Sequence, residues 1–166
     1  MVNTRNIIVG VLVLAAGIAA YILLSDSEED RIKKRLWDLG EIFQKELGET
    51  PLLAASKAGK VRDYFSKTSY INIPAYHFSQ DVDRRDLPGY VLQARAPYAS
   101  LGVKFEDLVI SLPSENKAEL STTVVVTGKI PSGERTRDIQ EMRCRLQKIE
   151  NEWLIREVEV VQVLEK

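Results

Sequence analysis

Histidine and cysteine each occur once in this 166-residue chain, at His77 and Cys144. A lone cysteine excludes an intrachain disulfide. One cysteine with one histidine cannot supply the ligands of a protein-only zinc site, and the pattern calls for no metal and no cofactor. An excess of charge of one sign is also missing, the net charge being −1. Arg5 is the one charged side chain before residue 26, which leaves 22 of the 23 basic residues and all 24 acidic ones in the rest. A chain without a basic surplus is not built to bind nucleic acid or to form a strong patch for acidic lipids. There is no internal repeat, no low-complexity tract and no phosphate-loop spacing. Gly128 and Gly133 read as strand and turn glycines.

What the sequence does contain begins with Ile7–Leu24, an unbroken apolar run (IIVGVLVLAAGIAAYILL) with only the Tyr21 hydroxyl as a polar side-chain group. As a helix it would span about 27 Å, close to the hydrocarbon thickness of a bilayer. Its length favours an uncleaved anchor over a signal peptide, although Gly17 and Ala19 imitate a cleavage site. A buried core helix would show a polar stripe, which this run lacks. The expected organisation is therefore a membrane anchor over residues 1–25 and one α+β domain over 26–166. Arg5 before the run places the amino terminus in the cytoplasm and the domain in the periplasm, at a bacterial inner membrane. Arg31, Lys33, Lys34 and Arg35 oppose that orientation.

Ser27 followed by Asp30 has capping-box spacing. Ile32, Leu36, Leu39, Phe43 and Leu47 then predict a helix from about Glu28 to Leu47, stopped at Gly48. Thr50-Pro51 opens a second helix, with Leu52, Ala55, Ala58, Val61 and Phe65 inward. Thr68–Ile73 reads as a short strand closed by Pro74, and residues 74–85 as a polar loop. Asp86 is placed to cap a third helix from Leu87 to about Ser100, with Val91, Ala94, Tyr98 and Leu101 on one face and Pro97 disturbing its last turn. From Val103 the period becomes two. Strands are expected over Val103–Leu112, Ala118–Ile130, Glu134–Ile149 and Glu152–Leu164, with short hairpin connections. Met142, Cys144 and Leu146 should face the core, and Glu141, Arg143 and Arg145 the solvent. The whole reads as an N-terminal transmembrane helix, then three helices packed on a curved antiparallel sheet, in the order α-α-β-α-β-β-β-β.

That order, with Val-Arg-Asp-Tyr-Phe-Ser (61–66) leading into Thr68–Pro74 and the meander ending in Trp153-Leu154-Ile155-Arg156-Glu157-Val158, resembles the nuclear-transport-factor-2-like superfamily. The superfamily includes SnoaL-like polyketide cyclases and ketosteroid isomerases. The resemblance covers residues 30–164. It implies a cone whose sheet wraps a helix and leaves a pocket at the open end. It also implies pairing through the outer sheet face in many members and membrane-anchored assembly factors among others. The isomerase branch carries its general base immediately before a proline, whereas here Ile73 precedes Pro74 and Asn72 precedes that. Neither takes a proton, and Asp81 and Asp83 lie further on.

The remaining acid–base candidate is His77, in Tyr76-His77-Phe78, with Asp81 nearby. Tyr64, Tyr76, His77 and Tyr98 are the residues expected to line a ligand pocket, with Tyr90 a further aromatic. Cys144 as a nucleophile would need a nearby imidazole, and its inward position reads instead as a buried, inert thiol. Arg135, Arg137, Arg143 and Arg145 form a basic stripe on one strand face, suited to an acidic partner or to pairing with neighbouring acids. The expected function is a membrane-tethered, non-catalytic interaction domain of the cell envelope, acting on a protein partner or as a homodimer. The alternative is a SnoaL-like small-molecule pocket using His77. A third reading is a stalk, since a helix from Glu28 to Leu47 would extend a membrane helix by about 30 Å.

Overall fold

The computed structural model describes residues 27–161. The apolar run 7–24 lies outside them, and among the described residues no helix is long and apolar enough to cross a membrane. The chain divides into two units, Met1–Arg31 and Ile32–Lys166. Of the first, only residues 27–31 are described. There the Asp30 amide donates to Ser27 Oγ at 3.1 Å, and that hydroxyl donates to the Asp30 carboxylate at 2.6 Å. This cap opens helix α1, Glu28–Phe43.

Along α1, Ile32, Leu36, Leu39 and Ile42 recur at helical spacing and are buried. The helix ends at Phe43, not at Leu47. Lys45 leaves it to form a two-bond bridge with Leu101, amide to carbonyl at 2.8 and 2.9 Å. Gly48 then takes φ +78°, which only glycine adopts freely. Leu47, expected inward, is 70% exposed as a result.

Helix α2, Pro51–Gly59, starts as its sequence requires. Thr50 caps it through Oγ1, which accepts from the Leu53 amide at 3.3 Å, and proline occupies the first turn. Only its C-terminal end reaches the core, through Ala58 and then Val61 in the 3₁₀ turn Lys60–Tyr64. Leu52 and Ala55, expected inward, lie on the open side. Strand β1 covers Phe65–Ile73.

The segment expected to be a loop is structured. After a 3₁₀ turn at Pro74–Tyr76, strand β2 runs over Phe78–Asp83 and pairs antiparallel with β1 in six rungs. Its polar sequence buries Val82 fully and only Phe78 and Asp83 in part, so it carries little strand signal. Helix α3, Leu87–Arg95, is shorter than expected because Pro97 cannot donate to a further turn. Asp86 precedes it without making a side-chain cap.

Strands β3 (Ser100–Ser114), β4 (Lys117–Lys129), β5 (Arg135–Ile149) and β6 (Glu152–Val161) form the expected antiparallel meander. The complete sheet has the order β2-β1-β6-β5-β4-β3. It is mixed, not purely antiparallel, because β1 lies parallel to β6. The β1–β6 register slips between Phe65–Ile155 and Tyr70–Glu157. In that gap the buried Ser69 hydroxyl donates to the Ile155 carbonyl at 2.8 Å, replacing a lost ladder bond.

The core lies between the helices and the inner sheet face, where Ala118, Leu120, Cys144, Leu146, Trp153 and Ile155 meet the α1 row. Two glycines permit close approach. An added methyl at Gly40 would press on the Phe105 ring, and one at Gly128 would overlap the Tyr98 ring.

Candidate functional site

A small cavity lies in the interior between helices and sheet. Ile32, Leu36, Leu120, Leu146 and Trp153 surround it, and its volume of about 10 Å³ has room for one water molecule at most. Arg35, Tyr64 and Ile155 complete its lining. The Arg35 guanidinium lies 5.0 Å above the centre of the Tyr64 ring and donates to the Glu152 carboxylate and the Asp63 carbonyl. Burial, and the charge of Asp38, push the Tyr64 phenol pKa up, with Arg35 in opposition. A tyrosine so placed stays neutral and acts as an apolar wall.

The structure does not gather the expected pocket residues. Tyr64 and Tyr76 stand at opposite ends of the nine-residue strand β1, separated by about 30 Å of chain. His77 is exposed in a left-handed conformation (φ 52°) at the tip of the β1–β2 hairpin. Asp81 faces solvent in β2 opposite Tyr70, and no hydrogen bond joins it to His77. The Tyr98 ring covers Gly128 in β4. Tyr90 packs edge-on against Phe78, ring centres 5.4 Å apart, and its hydroxyl accepts from Gln80 at 3.3 Å. Cys144 is buried, and burial together with the Glu157 charge pushes its thiol up to about 12. At neutral pH it is not a nucleophile.

The outer face of the sheet has more relief. A trough of about 370 Å³ opens there, lined by Val109, Ser121, Arg143, Arg145, Glu157 and Glu159 among others. Pairing across β4, β5 and β6 sets Glu119, Arg145 and Glu157 in one row and Ser121, Arg143 and Glu159 in the next. Arg145 bonds Glu157 at 2.7 Å and lies 3.9 Å from Glu119. Arg143 has no ion-pair partner among the described residues. Strand alternation puts Arg135 and Arg137 on this same face, and Val109, 62% exposed, adds an apolar margin. The trough thus carries two guanidiniums and three carboxylates, with charged groups of both signs open to a polar ligand.

A buried charge cluster joins segments that are far apart in the sequence. Arg95, at the end of α3, and Glu49, just before the Thr50 cap, are 2% and 1% exposed in their side chains. Arg95 Nη2 donates to both Glu49 oxygens, at 2.6 and 2.8 Å, and to the Gln44 carbonyl at 2.7 Å. Lys57 adds a bond to Glu49 at 3.2 Å, and Lys45 Nζ donates to the Arg95 and Tyr98 carbonyls at 3.2 and 2.5 Å. Burial alone would raise the Glu49 pKa. The hydrogen bonds and charges of Lys57 and Arg95 outweigh it and hold the carboxyl below its ordinary 4.5. The cluster ties the α1–α2 connection to α3. Nothing in the spacing of Glu49, Lys57 and Arg95 announces it, since the three meet only through the tertiary fold.

Helices on the inner face of a six-stranded mixed sheet, with a long meander, define the nuclear-transport-factor-2-like fold. Solved structures bear this out. A Xanthomonas campestris protein described as a calcium/calmodulin-dependent protein kinase II association domain superposes with a TM-score of 0.67 at 12% identity, over 85% of this chain and 91% of that one. A Novosphingobium aromaticivorans protein with a cystatin-like fold gives 0.65 at 11% identity, over 92% and 90%. One described as a scytalone dehydratase, from the same organism, gives 0.63 at 13%, over 82% and 85%. No protein-family model matches the sequence, and no curated protein matches it. Identities this low establish the fold and leave activity to the site.

Proposed function

We propose that this chain is a membrane-tethered, non-catalytic interaction domain of the bacterial envelope, anchored in the inner membrane with its domain in the periplasm and working through the outer sheet face. The observation that carries the reading is the contrast between the two sides of the sheet. The cavity on the inner side holds about 10 Å³, whereas the trough on the outer side holds about 370 Å³, and Arg143 there has no ion-pair partner among the described residues. Trp153 and leucines line that inner cavity and leave it too small for an organic ligand. The tether follows from the length and apolarity of residues 7–24. The partner is a protein segment or a second copy of the chain. The alternative pocket reading rests on His77, which lines neither the cavity nor the trough.

The test is site-specific photo-crosslinking in intact cells from Ser121, in the trough, with Ser56 on the exposed side of α2 as control. Crosslinks from Ser121 to a discrete envelope protein or to a second copy, lost in Arg143→Glu/Arg145→Glu, support the reading. Equal labelling from both positions, or crosslinks that survive the charge reversals, refutes it. Both arginines are exposed, so the double variant should fold with stability changed by less than about 1 kcal/mol per site.

A further inference from the structure

We infer that the outer sheet face carries a second recognition surface, near the β4–β5 turn, that takes an extended acidic segment of a protein partner. Cross-strand register gathers its cations. In β5, Arg135 stands opposite Lys129, Arg137 opposite Thr127 and Ile139 opposite Val125. On the other side of β4, Gly102 stands opposite Thr127 and Lys104 opposite Val125. Lys104, Lys129, Arg135 and Arg137 thus surround a floor where Thr127 is small and Gly102 adds no side chain. None of the four cations has an ion-pair partner among the described residues. Further along the same face, Arg145 is held between Glu119 and Glu157. The basic stripe of β5 therefore divides into a half interleaved with the chain's own carboxylates, which is the trough, and a half with none. No residue of this second surface lines the trough.

Spacing selects the ligand. Alternate residues of a strand stand about 6.6 Å apart, the same repeat at which an extended chain presents its own alternate side chains. Arg135 and Arg137 are exposed at that repeat, and Ile139, 43% exposed, is the next residue in the line. A segment lying over β5 with carboxylates at two alternate positions and an apolar residue at the next meets two guanidiniums and then an apolar side chain. Each carboxylate can receive two parallel bonds from its guanidinium, and Lys129 stands beside the first. Glu106 and Glu141, both opposite Thr123, stand one alternate position beyond Lys104 and Ile139 and close the surface. A lipid surface or a nucleic-acid strand, negative throughout, would meet those two carboxylates as well. A short segment whose acidic part ends over Arg137 does not. Asp138, the acid between Arg137 and Ile139, lies on the opposite face of β5, where Gln140 donates to it at 2.9 Å.

The full-length protein in uncharged detergent at low salt is titrated against a fluorescein-labelled peptide, Gly-Ser-Ile-Thr-Glu-Thr-Glu-Thr-Ile-Ser-Gly, and fluorescence anisotropy follows binding. The peptide reads the same in both directions, so its direction along β5 does not matter. The expected result is saturable binding, weakened about tenfold in Arg135→Glu/Arg137→Glu and less than about twofold in Arg143→Glu/Arg145→Glu. A peptide of the same composition with its two glutamates adjacent should bind at least about threefold more weakly, because one carboxylate then points away. Equal binding of the two peptides refutes the proposal, as does the absence of saturable binding to the wild type. Equal losses in the two double variants would put the peptide in the trough, overturning the second surface and leaving the reading above intact. Displacement of the peptide by phosphatidylglycerol added to the micelles would make a lipid surface the occupant and overturn it too. Arg135 and Arg137 are exposed and have no ion pair to lose, so their double variant keeps the fold, which far-UV circular dichroism checks.

Discussion

Glu49→Gln should be among the most damaging single-atom changes the domain can suffer. The native carboxylate receives two bonds from Arg95 and one from Lys57 in a site that water does not reach. The amide keeps the shape and removes the charge. Arg95 then keeps the amide oxygen and the Gln44 carbonyl as neutral acceptors, loses the other carboxylate oxygen and the balancing charge, and its Nε and Nη1 atoms are already buried without partners. Removing one member of a buried pair costs about 3–5 kcal/mol, a large part of the roughly 5–15 kcal/mol that holds a domain folded. Arg95→Met should cost less, because Glu49 keeps Lys57, whose ammonium still touches water. Removing both charges in Glu49→Leu/Arg95→Met should recover much of the loss. Urea denaturation followed by far-UV circular dichroism measures all three. The pH dependence has a definite sign. The folded pKa of Glu49 lies below 4.5, so its contribution is complete above that pH and fades as pH falls through the folded value. Glu49→Gln should lack that acid-side component. A loss below about 1 kcal/mol for Glu49→Gln, or a larger one for Arg95→Met, would refute this account of the cluster.

Other outcomes follow from single contacts. Gly128→Val should destabilise the domain by about 1–3 kcal/mol in the same urea assay, because the Tyr98 ring occupies the space a side chain needs. Tyr98→Ala in the same molecule should relieve part of that cost. The Cys144 thiol should resist iodoacetamide at pH 8 in the folded protein and react once urea is added, as intact mass would show. Rapid native labelling would mean that β5 opens locally. Asp83, held by hydrogen bonds from the Arg85 side chain and amide, should titrate near its value of about 2 by carboxyl NMR, and Arg85→Ala should return it toward 3.8.

Much of the meander was legible because its connections are marked residue by residue. Glu150 and Asn151 both adopt positive φ, 49° and 66°, and Gly133 turns the β4–β5 hairpin at φ 95°. Such turns are local chemistry, and the alternation of Met142, Cys144 and Leu146 is local too. The parallel β1–β6 pair was not legible, since it joins Phe65 to Ile155 without any adjacent signal. Strand β2 is not legible as a strand because an edge strand with one fully buried side chain has the composition of a loop. Leu47 and Leu52 fit a helical spacing, but that spacing says nothing of Lys45 being drawn away to pair with Leu101. The same limit applies to the site. The basic stripe on β5 could be read from alternation, whereas the trough and the Glu49–Arg95 cluster exist only where distant segments meet.

The β1–β6 pairing sets a timetable for the molecule. Ninety residues separate Phe65 from Ile155. At about 5–20 residues per second, the ribosome needs roughly 5–18 seconds to deliver the partner that β1 awaits. Until then β1 and β2 form an isolated hairpin, and two-stranded hairpins are marginal in water. Closure of the sheet is a late, long-range event, slow by the measure of contact order. The apolar run 7–24 leaves the ribosome before any of this. Until Ile155 is made, β1 lacks its neighbour in the sheet, so the complete six-stranded sheet closes only when nearly all of the domain has been synthesised.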